Sequence, residues 1–165
     1  MKTYSVGDKV AHPMHGAGIV EEIKEIDFGG KKKKYYEVRF AVGNMVTNIP
    51  VENAERIGIR DVISKDEARK VLETFHSMDI EDDLNWNKRQ RENMAKIKSG
   101  DIYEVLCVLK ELMYRDMTKG LSTSERKTLG SAKQIVVSEL VLSGFADIKD
   151  IEAIMQDTIK ELEEK

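Results

Sequence analysis

The chain is poor in the residues that staple or stiffen a fold. Of its 165 residues one is cysteine, two are proline and one is tryptophan, and aromatics make up 6%. A lone thiol, Cys107, excludes an internal disulfide framework and any zinc finger built on paired cysteines. It falls in an apolar helical stripe and reads as a small buried hydrophobe. No apolar run approaches the roughly 20 residues that span a bilayer. The opening MKTYSVGDKV has no apolar segment behind Lys2, so no signal peptide is expected and the chain reads as soluble and intracellular. The only histidines are His12, His15 and His76. The first two flank Pro13-Met14 at a turn, and two imidazoles without a third ligand do not make a catalytic metal site. The glycine motifs of nucleotide cradles and of serine-hydrolase elbows do not occur. Catalysis, a metal and a cofactor are therefore not expected.

What is abundant is charge, and it is unevenly placed. Charged residues are 35% of the chain, with 27 Lys and Arg against 30 Asp and Glu, a formal net charge of −3. Hydrophobic residues reach 41%, too many for a disordered chain. The acid is concentrated in DIEDD (79–83) and in residues 146–165. Residues 86–133 hold 11 bases and six acids, a local excess of +5. Local potential is what a polyanion feels, so the mildly acidic total does not exclude nucleic acid. A solvated helix face explains such a stretch equally well.

The hydrophobic period changes near residue 60. Before it, GAGIVEEIKEID scatters Ile19, Val20, Ile23 and Ile26 as a bent or bulged strand would. KYYEVRFAV (34–42) and Met45–Val51 have strand composition. Gly29-Gly30 and Gly43-Asn44 read as tight turns, the first leading into Lys31–Lys34, a basic lip. Four or five short strands in 60 residues predict a small, strongly bent sheet or SH3-like barrel. After residue 60 the period is helical. Ser64 with Glu67, and Ser122 with Glu125, are capping boxes that open helices through about Met78 and Leu142. Between them the pattern predicts helices over about Leu84–Lys98 and from Asp101 to Gly120, and a last one over about Asp147–Glu164. The fold class is α+β: a small β-barrel followed by an all-helical domain of about five helices. No heptad is sustained, so no obligate dimer is expected.

Trp86 stands in DLNWNKRQR, and two readings of it remain open. If the helix already includes residue 86, the indole shares a face with Met94 and Ile97 and anchors the core. If the helix begins at Asn85 or later, the indole sits at its mouth with Lys88, Arg89 and Arg91 fanning out beside it. Bases in a first helical turn oppose the helix dipole. An exposed aromatic among bases suits stacking with phosphate neutralisation.

Val6-Gly7-Asp8, His12-Pro13-Met14-His15-Gly16, Ile49-Pro50-Val51-Glu52-Asn53-Ala54 and Gly58-Ile59-Arg60-Asp61 occur in order along the first half. Asn85-Trp86, Ser99-Gly100-Asp101, Arg115-Asp116, Lys119-Gly120-Leu121-Ser122 and Glu125-Arg126 follow in the second. Together they resemble the CarD/CdnL family of bacterial transcription regulators, from about residue 4 to about 143. The resemblance implies a non-enzymatic factor with a Tudor-like RNA polymerase interaction domain (1–60), a module shared with the transcription-repair coupling factor. It also implies a helical DNA-binding domain (61–165). It implies binding to the polymerase β subunit through Ile26, Val46, Thr47, Asn48, Ile49 and Pro50. DNA contact at the upstream edge of the melted promoter is implied for Trp86, Lys88, Arg89, Arg91, Arg126, Lys127 and Lys133. In that setting Trp86 wedges into the minor groove and stabilises the open complex. The protein is then a cytoplasmic monomer, carried to the nucleoid by polymerase. This chain departs from the pattern at Ile26 and Asn48, where some relatives use arginine against polymerase, and at Ser131, where a base stands in the fourth helix. The alternative is an adaptor that binds polymerase or another partner without touching DNA.

Overall fold

The computed structural model describes residues 2–80 and 85–164. Its N-terminal part runs β1 (Lys9–His12), β2 (Gly16–Phe28), β3 (Lys31–Phe40), β4 (Val46–Pro50), a 3-10 turn (Val51–Asn53), a single helical turn α1 (Ala54–Ile57) and β5 (Arg60–Asp61). These strands form one antiparallel sheet in the order β4-β3-β2-β1-β5. Gly29 and Gly30 both adopt positive φ, 58° and 88°, which lets a two-residue turn follow the twist of β2 and β3. The pairing register shifts between Val20 and Glu22, so Glu21 is the extra residue of a bulge. That bulge bends the 13-residue β2, as its scattered isoleucines predict. Val10, Val20, Tyr36, Val38, Phe40 and Ile49 pack beneath the sheet as its core.

The helices α2 (Lys65–Ser77), α3 (Trp86–Lys98), α4 (Ile102–Thr118), α5 (Thr123–Leu142) and α6 (Ile148–Glu163) follow. The second helix starts at Trp86 rather than near Leu84, a residue outside those described, because Asn85 takes the cap position. The α4 helix is the centre of the bundle, packing on α2, α3, α5 and α6. Its Val105, Leu106, Val108, Leu109 and Leu112 are fully buried. The last helix buries Ile151, Met155 and Ile159 but leaves Ile148 and Ile154 exposed. Cys107 is half-buried rather than buried, and its Sγ donates to the Tyr103 carbonyl at 3.5 Å. Among the described residues no helix is long and apolar enough to cross a membrane.

Both predicted caps form, and both spare their carboxylates for other work. Ser64 Oγ accepts from the Glu67 amide and Ser122 Oγ from the Glu125 amide. The Glu67 carboxylate then accepts from Tyr103 on α4 at 2.5 Å, while Glu125 reaches α3. The reciprocal half of a capping box is thereby traded for a tie between helices.

The helix α5 is buried on more than one side because it carries the seam with the sheet. Gly16, at φ 89°, lies so close to it that a Cβ would stand 2.2 Å from Ser138 Oγ and 2.7 Å from the Gln134 carbonyl oxygen. The Ala17 amide donates to Ser138 Oγ at 2.8 Å, and Gln134 Nε2 donates to the His15 carbonyl at 3.0 Å. At the other end Arg60 donates two hydrogen bonds to the buried Glu139 carboxylate, at 2.5 and 2.8 Å. The Ile63 amide donates to the same carboxylate at 3.1 Å.

Next to the seam His12 stacks on His15, with ring centroids 4.5 Å apart, and its Nδ1 accepts from the Met14 amide. Burial, and secondarily the charge of His15, pull its pKa from 6.5 down to about 4. The folded chain therefore favours the neutral ring. Its contribution is complete above pH 6.5 and is lost as pH falls toward 4. His12→Gln should flatten the denaturation midpoint over that window, measured by urea titration at each pH. Gly16→Ala should destabilise the fold by about 2 kcal/mol or more, through clash and disfavoured φ together. A calorimetric melt checks it, with Gly30→Ala, whose Cβ would meet open space, isolating the φ contribution.

Candidate nucleic-acid interface

Asn85 is extended (φ −80°, ψ 104°) and its side chain accepts the Lys88 amide at 3.2 Å, so α3 opens at Trp86. The indole thus stands at the helix mouth and is 43% exposed. Of the face it was expected to share, Ile97 is buried and Met94 half-buried, but Trp86 itself is not a core anchor. Lys88 and Arg91 are exposed on the first two turns, Lys88 lying 3.8 Å from Glu92.

Arg89 is not part of that outward set. It is 3% exposed, and its guanidinium donates to both oxygens of Glu125, at 2.9 and 3.3 Å. The expectation that Arg89 faces DNA is therefore corrected. Position 89 points inward between α3 and α5, and a buried cation there needs a fixed carboxylate. Lys110 leaves the basic field in the same way. It is buried, lies over the Phe75 ring, and donates to the His76 and Met78 carbonyls at the C-terminal end of α2.

The Arg89–Glu125 pair ties the first turn of α3 to the first turn of α5. Trp86 and Lys88 are brought to the same end of the bundle as Arg126 and Lys127. Arg126 is exposed, 3.8 Å from Asp116, and Lys127 is exposed. Lys133, two turns further along the Arg126 side of α5, is half-buried. Between α3 and α5 runs a groove of about 360 Å³ in which Met94, Ile97 and Met14 meet Thr123, Lys127 and Ser131. Met14 reaches it from the turn between β1 and β2, a contribution that no local pattern announced.

On the sheet, the residues expected at polymerase divide by strand alternation. Val46 and Asn48 are exposed, and Ile26, Thr47 and Pro50 are half-buried. Ile49 is 2% exposed and belongs to the core beneath the sheet, which corrects its place among contact side chains. The strand that carries it, β4, is an edge of the sheet.

Burial pushes the Glu125 carboxyl up, but the hydrogen bond and charge of Arg89 outweigh it and hold the group below its usual 4.5. The pair therefore contributes in full above pH 4.5, and its contribution is lost as pH falls through the lower folded value. Glu125→Gln strands the buried Arg89 cation and should cost about 3 kcal/mol at neutral pH. The difference from wild type should shrink in acid, as read by chemical denaturation at several pH values.

A family model described as the CarD-like/TRCF RID domain matches residues 4–63, and one described as the CarD C-terminal domain matches residues 70–156. A Bacillus subtilis (strain 168) protein named "Putative transcription factor YdeB" is 34% identical over 145 residues, which is 87% of this chain and 95% of that protein. The sheet and the bundle of this chain carry the two family matches in tandem, and the chain belongs to the CarD family of transcription factors.

Proposed function

We propose that this chain is a non-enzymatic regulator that binds the β subunit of RNA polymerase through residues 1–60 and holds promoter DNA open through residues 61–165. The observation that carries the reading is Trp86, solvent-facing at the mouth of a capped helix whose outward bases are Lys88 and Arg91. Arg126, Lys127 and Lys133 on α5 add phosphate contacts beside it.

The physics of the wedge suits so small a basic face. Unstacking a base step costs a few kcal/mol, which an apolar wedge offsets only when it is held in place. Docking on polymerase supplies the placement, because a tethered module acts at high effective concentration. The isolated chain then needs little DNA affinity, and its slight net acidity is no obstacle. A minor-groove wedge reads shape and deformability, so little sequence preference is expected. In this reading the chain acts as a monomer in the cytoplasm, at the nucleoid wherever polymerase is.

Trp86→Ala should leave the melting temperature and polymerase affinity near wild type, since the indole is largely outside the core. Open-complex lifetime, followed by competitor challenge on a promoter fragment, should fall several-fold. An unchanged lifetime in a folded variant selects the adaptor that binds polymerase without DNA contact.

A further inference from the structure

Beyond the bulge, β2 and β3 continue as a hairpin with two unlike faces. On one face the register sets Asp27 opposite Lys32 and Glu25 opposite Lys34, so acid and base alternate across the strands. On the other, Phe28 stands opposite Lys31, Ile26 opposite Lys33 and Lys24 opposite Tyr35, and Tyr35 stands opposite Pro50 of β4. Phe28 and Tyr35 are in ring contact, with centroids 6.3 Å apart. Phe28 is nevertheless 58% exposed, among the most exposed large hydrophobic side chains of the fold. An apolar stripe of Phe28, Ile26, Tyr35 and Pro50 thus runs along the outer face, rimmed by Lys24, Lys31 and Lys33.

We infer that this stripe is the anchor of the polymerase-facing surface, and that it fits a protein segment with an apolar side chain surrounded by acids. The inference rests on the polymerase-binding reading above and names the contacts that serve it where Ile26 and Asn48 replace arginine. An apolar centre with a polar rim is the anatomy of a protein interface. The rim selects the sign of the partner: Lys31 has no ion-pair partner among the described residues, and an incoming carboxylate supplies one. A nucleic-acid backbone fits less well. A strand of nucleic acid is tracked by a run of free cations. Lys24 and Lys33 are already paired with Glu37 and Glu52, at 3.2 and 3.5 Å, which leaves Lys31 as the free base of the rim, enough for one carboxylate beside an apolar anchor.

The test uses the full chain, immobilised and titrated with bacterial RNA polymerase. Phe28→Ser and Lys31→Glu should each weaken capture roughly tenfold, the scale of an interface anchor, with an unchanged melting temperature. The Lys31→Glu effect should shrink in high salt. Polymerase capture at wild-type affinity by both hairpin variants overturns the stripe while leaving the docking reading intact. Failure of the wild-type chain to capture polymerase overturns both. Loss of single-stranded oligonucleotide binding in the variants, with polymerase capture intact, assigns the hairpin to nucleic acid and also overturns the proposal.

Discussion

The seam between the sheet and α5 is the constraint on which the rest of the molecule depends. Of the two cores, one under the sheet and one around α4, the smaller sheet core is of a size that leaves stability marginal alone. Apolar contact joins the two through Met14 and Val42, and close backbone approach and buried polar bonds fix the joint. Gly16 and Ala17 lie on Ser138, and Arg60 is held by Glu139 across the junction. Glu139 is 1% exposed, and a carboxylate buried so deeply is tolerable only with the Arg60 fork and the Ile63 amide in position. The seam turns two modules into one unit in which the β4 edge and the mouth of α3 keep a set relation. The proposed function would need that stiffness, since slack in the joint would lower the effective concentration of the indole at DNA.

A second ion pair does for the helical half what Arg60–Glu139 does for the whole. Arg89 and Glu125 stand 36 residues apart and set the first turns of α3 and α5 side by side. Five bases, Lys88, Arg89, Arg91, Arg126 and Lys127, lie within the first two turns of these helices, and the fold commits one of them, Arg89, to architecture. Trp86, Lys88 and Arg91 face outward because Arg89 faces inward. On a helix of 3.6 residues per turn they cannot all share one direction. The uneven charge of the sequence thus resolves into a smaller surface field than the count of +5 over residues 86–133 implies, with Arg89 and Lys110 both withdrawn from solvent.

Local signals were legible wherever the physics is local. Ser64, Ser122 and Asp101 cap the helices that their spacing announces. Gly29-Gly30 turns the hairpin, and the misplaced isoleucines of β2 mark a real bulge. The candidate site was legible in kind, as one tryptophan among bases after an asparagine able to cap. Its members were less so. Nothing within residues 85–91 separates Lys88 and Arg91 from Arg89, because the partner that decides is Glu125 on another helix. Ile49 was misplaced for the reverse reason: it lies in a segment whose neighbours face outward, and strand alternation turns every second side chain into the core.

The sequence by itself determined the fold class, the change of architecture near residue 60 and the lack of an internal disulfide, and it singled out the one tryptophan among bases as the candidate contact. These follow from composition, period and capping, which act over a few residues. Tertiary structure alone decided which bases reach solvent, that Met14 from the sheet completes a groove between α3 and α5, and that a glycine at position 16 is required by a helix more than a hundred residues away. Each of these is a matter of burial or close approach between distant segments. A charged side chain's role is set by whether a partner stands in its path, and that is known only when the chain has folded.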